Sequence, residues 1–238
     1  MVKIGSLEEL VALGNLNKDC LVMATDGVIK FMTPLKIPFS IKVTGDTLFT
    51  SASLSAPVHF VGKKAAITSA VSGSSLSFKN ICLKSDIPLF DIKQNTIERL
   101  VLDNGFVNCE DLGLANFKTL LMSEFRFINK DQQALEIGSC NSITALGVTN
   151  SSQQPLLELS ETKSIRDHLI VHEYRDVGKG GLLSFGIREA DKTYLLASIP
   201  KRGILAKRIE GASVDLLRVI HEGYYAIPEL NVARKYFG

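Results

Sequence analysis

The chain has 238 residues, a formal net charge of +2, 45% apolar and 22% charged side chains, and no tryptophan. That balance excludes a disordered polyelectrolyte, and it carries no dense Lys/Arg stripe of the kind that tracks a nucleic-acid backbone. No run of eighteen apolar residues occurs to form a spanning helix.

The first predicted element is a helix over residues 6–13. Ser6 and Glu9 make an S-x-x-E capping box, Leu7, Leu10 and Val11 recur at helical spacing, and Gly14 is placed to end it. Charge and a helical pattern from Val2 to Gly14 argue against a secretory leader. After Asp19 the helical period is lost. Strands are expected at Leu21–Met23, Val28–Met32, Ile41–Val43, Leu48–Phe49 and Val58–Val61, with Pro34 and Pro38 barring a long helix.

From there a repeat dominates. Short apolar-x-apolar pulses begin at Phe90, Leu112, Leu135, Leu157, Leu183 and Leu205, and extend back to Ile67, Val43 and Leu21. The step is about 22–24 residues, apart from a longer one before Leu183 that the Val177–Gly181 corner absorbs. A second marker strand keeps pace at Leu76-x-Phe78, Leu100-x-Leu102, Phe125-x-Phe127, Leu146-x-Val148 and Leu169-x-Val171. Turn formers lie between them: Ser72–Ser75, Asn104-Gly105, Asn129–Asp131 and Asn150–Ser152. Asn80, Asn108 and Asn129 recur at similar places, as stacked asparagines or as ordinary turns. Strand-sized pulses at a constant step, without intervening helices, predict stacked strands in a solenoid. Phe90, Leu112, Leu135 and Leu157 are expected to form one inward ladder. Beyond residue 176 strands are expected at 182–185, 194–199 and 204–205.

Candidate chemistry is sparse. His168 and His172, with Glu173 beside them, have a metal-like spacing but sit in a strand pattern with no third ligand placed. Gly178-Lys179-Gly180-Gly181 lacks the spacing of a phosphate loop. Asp91, Asp103, Glu110, Asp111, Glu124, Glu136 and Glu158 offer carboxylates on successive turns. Glu136 and Glu158, each second in its pulse, are the pair best placed for glycosidase chemistry, or else two exposed solubilising residues. Cys20, Cys82, Cys109 and Cys140 form no CxxC pair and read as buried free thiols of a reducing compartment. No catalytic residue, cofactor site or metal site is assigned.

Certain segments carry a resemblance. They are Ser6–Leu10, Val28–Phe31, Pro34–Phe39, Gly45–Phe49, Ile87–Ile92 and Ile97–Asp103. Over roughly residues 5–175 the chain resembles the small right-handed parallel β-helix structural proteins of tailed bacteriophages. The resemblance implies a non-enzymatic virion protein made in the host cytoplasm. It would be a homotrimeric tail fibre, spike or head-decoration component that contacts other virion proteins. Longer tailspikes of similar architecture cleave host surface glycan, which is the alternative reading.

The expected organisation is a capping helix at 1–17, an all-β right-handed parallel β-helix at 18–223 and a C-terminal cap or docking tail at 224–238. Tyr224, Tyr225, Arg234, Lys235, Tyr236 and Phe237 are the candidate interface residues of that tail. The runs Val58–Val61, Leu120–Met122 and Leu169–Val171 are too apolar for simple in-out alternation. They predict an outward apolar stripe, and with it a parallel trimer.

Overall fold

The computed structural model describes residues 2–4, 22–24, 27–31, 34–43, 45–69, 71–138, 140–159, 165–178, 180–184 and 204–207. The expected helix at 6–13 and the tail at 224–238 lie outside these residues. The described chain is all-β, and every named strand pairing is parallel. The strands stack turn upon turn as a β-solenoid.

Each complete turn contributes to three ladders, which we call the first, second and third faces. On the first, Val2, Val22, Ile41, Ile67, Phe90, Gly113, Leu135, Leu157 and Leu183 lie in one register column. On the second, Leu76, Leu100, Leu120, Ile143, Leu169 and Ile204 do so. On the third, Leu35, Val58, Leu83, Val107, Phe127, Asn150 and Asp176 do so.

Alternation decides what fills the coil. In Thr47–Ser51 and Ile41–Val43 every second side chain is buried, as a two-residue period demands. Like then stacks on like. Phe31, Phe49 and Phe78 lie face to face at 6.3 and 5.2 Å between ring centres, and Phe90 meets Phe78 edge-on at 5.9 Å. Leu83, Phe90, Leu102, Met122, Phe127 and Leu157 are among the residues around an internal void of only about 10 Å³, so the interior is packed.

The expected inward ladder needs one correction. Phe90, Leu135 and Leu157 share it, but their partner on the intervening turn is Gly113. Leu112, though buried, comes one residue earlier. At Gly113 φ is +77°, and an added Cβ would overlap the Phe90 carbonyl oxygen, so the register position excludes any side chain. Four further readings shift. On the first face Ile41 and Val22 stand where Val43 and Leu21 were expected. Leu205 pairs with Ile170 and so belongs to the second face. Phe125-x-Phe127 is not on the second face, whose strand there runs through Leu120-x-Met122, and of Leu146-x-Val148 only Leu146 is, paired with Ser123 and His172 at the end of its strand. Val2–Ile4, read as part of a helical pattern, is a strand paired with Val22–Ala24.

The corner between the second and third faces is made by single residues. Asn80, Asn104, Glu124, Gly147 and Glu173 occupy equivalent places, with φ of 51°, 47°, 48°, 63° and 56°. One left-handed residue bends the chain while leaving the ladders on both sides in register. Asn108 falls elsewhere, opposite Lys84 on the third face.

Candidate functional site

An open groove of about 360 Å³ runs along the first face. Its register column runs Asp91, Leu114, Glu136, Glu158, one residue per turn, and Asp111 and Gln133 line the neighbouring edge. The inward neighbours of these residues, among them Phe90, Ile92, Leu135 and Ile137, are buried and hold the strand flat. The outward side chains therefore project as a comb with a tooth spacing of about 4.8 Å.

Glu136 and Glu158 are direct register partners and both are exposed. The sequence brought them together correctly. Asp91 belongs to the same column and is 3.6 Å from Lys93. Asp111 accepts a 2.7 Å hydrogen bond from the Gly113 amide, so its carboxylate helps to fix the glycine corner. Asp103 lies on the second face in a 3.1 Å ion pair with Lys79, and Glu124 occupies the left-handed corner. Four of the seven candidate carboxylates, Asp91, Asp111, Glu136 and Glu158, therefore line the groove, while Asp103 and Glu124 lie away from it. Lys93 and Gln133 also line the groove and were not among the sequence candidates.

His168 and His172 fall on the strand Ile165–His172, in register with Ser142 and Leu146. Among the described residues no cluster of three or more His, Cys, Asp or Glu is placed for a metal. The Gly178 and Gly180 amides donate to the Asn150 and Ser152 carbonyl oxygens of the preceding turn. These amides are used within the stack rather than presented to an anion.

Beside this lies a buried polar corner. Asn150 Nδ2 donates to the Gly181 carbonyl oxygen at 3.0 Å, and its Oδ1 accepts from the Ser152 amide at 3.0 Å. Ser152 Oγ donates to the Gln132 carbonyl oxygen at 2.7 Å. The Gln132 side-chain amide is fully buried, and neither of its polar atoms is hydrogen-bonded. Cys82, Cys109 and Cys140 are free and buried, as expected for three of the four thiols; Cys20 lies outside the described residues. Burial pushes the Cys109 and Cys140 thiols up to about 12.

No family model, curated protein or solved structure matches the chain. The class that the geometry defines is a parallel β-solenoid with a packed interior.

Proposed function

We propose that this chain is a non-enzymatic structural rod, a homotrimeric bacteriophage virion component of fibre, spike or decoration type. The observation that carries the rod is the turn-upon-turn stacking of parallel strands around a filled interior among the described residues, which makes a spacer with long outer faces. The phage setting rests on the resemblance of the sequence segments given above. In this reading the coil winds right-handed, as parallel crossovers nearly always do. Residues 1–17 cap one end, and 224–238 dock on a neighbour through Tyr224, Tyr225, Arg234, Lys235, Tyr236 and Phe237. Mass photometry of the full chain at micromolar concentration tests the trimer, with a particle three times the 26.0 kDa chain mass expected. Peptides of the chain in purified virions test the setting.

The paired Glu136 and Glu158 support a second reading, a glycan-binding or glycan-cleaving surface on the first face. Their turn-to-turn spacing of about 4.8 Å is close to the separation that retaining glycosidases need. Release of reducing ends from host capsule or lipopolysaccharide, abolished by Glu136→Gln or Glu158→Gln, would favour this reading over the structural one.

A further inference from the structure

The three faces differ in chemistry. The first presents the acidic comb Asp91, Glu136 and Glu158. The third presents Lys36, His59 and Lys84 in one outward column, which ends in exposed Ile128 and Val177, and Arg126 and Arg175 in the next, the four Lys and Arg side chains being exposed and His59 held 2.8 Å from Asp86. Between them, the outward column of the second face reads Val28, Leu48, Ser77, Val101, Leu121, Thr144 and Ile170. Val28 is 60% exposed, and the others are half-buried and stand outside the interior core. Leu121 and Ile170 are the middle residues of two runs judged too apolar for alternation. The third such run does not contribute, since His59 is the outward residue there.

We propose that the second face is the surface through which copies of this chain pack side by side in parallel, and this rests on the trimeric reading above. Charge decides the occupant and its direction. When two copies meet on their second faces with their axes parallel, the acidic first face of one lies beside the basic third face of the other. The heights fall within one turn of each other. Glu158 is on the same turn as Arg175, Glu136 is one turn from both Arg126 and Arg175, and Asp91 is one turn from both Lys84 and Arg126. Antiparallel packing on the same face sets acid beside acid and base beside base, which costs affinity. Within the face itself, Arg99 and Asp103 flank Val101 on opposite sides. In the parallel arrangement Arg99 of one copy reaches the Asp103 of the next at equal height. Arg99 is exposed and makes no ion pair among the described residues. The apolar column excludes water at the centre of the contact, and the charged faces seal its sides.

The test is oligomeric state. The full chain should be an oligomer at micromolar concentration, and Val101→Glu with Leu121→Glu should weaken association at least tenfold with an unchanged far-ultraviolet spectrum. Independently, Leu121→Cys should oxidise to a self-cross-linked species in the otherwise native chain, because side chains of equal height face one another in the parallel arrangement. This second variant keeps the idea testable if the double mutant fails to fold. An oligomer that survives the double substitution, or a Leu121→Cys chain that never cross-links, overturns the surface while leaving the trimer standing. A dimer lost on the same substitution upholds the surface and sinks the trimer. A wild-type monomer overturns both.

Discussion

Asn104 donates a 2.6 Å hydrogen bond from Nδ2 to Oδ1 of Asn80 on the turn before it. Both residues hold left-handed backbone. Asparagine tolerates that conformation better than most residues, and stacked in register it links one corner to the next along the axis. Asn104→Ala loses both advantages and should cost about 1–2 kcal/mol in thermal unfolding. Asn104→Gly keeps the backbone and should cost less. An alanine variant as stable as wild type would refute this account of the corner.

At Gly113 the argument is steric. Gly113→Ala introduces a clash with the Phe90 carbonyl and a strained φ together, and urea unfolding should show a loss of at least about 2 kcal/mol. Leu135→Asp, one turn on, places an unpaired carboxylate in the stack and should prevent folding or nearly so. A soluble, cooperatively unfolding Leu135→Asp chain would mean that the column is not the core it is taken to be.

Gln132 offers the opposite sign. Its amide is desolvated without a hydrogen-bond partner, and Met has a similar length without polar atoms. Gln132→Met should therefore raise stability by about 1 kcal/mol. Destabilisation of similar size would show that the amide is satisfied in solution.

The buried thiols set an alkaline limit. Their folded pKa values, about 12 for Cys109 and Cys140, lie above the ordinary value of 9.0. Unfolding therefore releases protons above pH 9. Their contribution to stability is complete below about pH 9 and is lost as pH rises towards 12, at up to about 1.4 kcal/mol per pH unit for each thiol. Cys109→Ala and Cys140→Ala variants should show a shallower fall in melting temperature over that window. Equal slopes would remove the thiols from the explanation.

The step of the repeat and the first face were readable because Phe90, Leu135 and Leu157 each open a strand as a buried apolar residue. The pairing of Glu136 with Glu158 followed directly from that register. The third face was not readable for a physical reason. Phe90–Cys109 is one strand of 20 residues that changes face at Asn104, where the pairing skips one residue and resumes in the same register. Asn104-Gly105 reads as a turn, but Glu124 at the equivalent place on the next turn looks like any surface carboxylate. With that corner invisible, Phe125 and Phe127 were placed on the second face, and the basic columns of the third were not seen as aligned. Gly113 was passed over because an apolar-pulse reading has no place for a glycine at an inward position.

The parallel ladders also have a mechanical consequence. In-register strands lie across the stack, so their backbone hydrogen bonds point along it. A pull on the two ends loads each interface between turns in series, and the turns should peel one at a time from the weakest pairing. The pairing of Phe90–Cys109 with Gly113–Phe127 is the longest register described and should be the last to part. A load carried across the stack is instead shared by many strands at once, each held along its covalent backbone. The same chain therefore yields turn by turn when pulled along its length and resists being pulled apart across it.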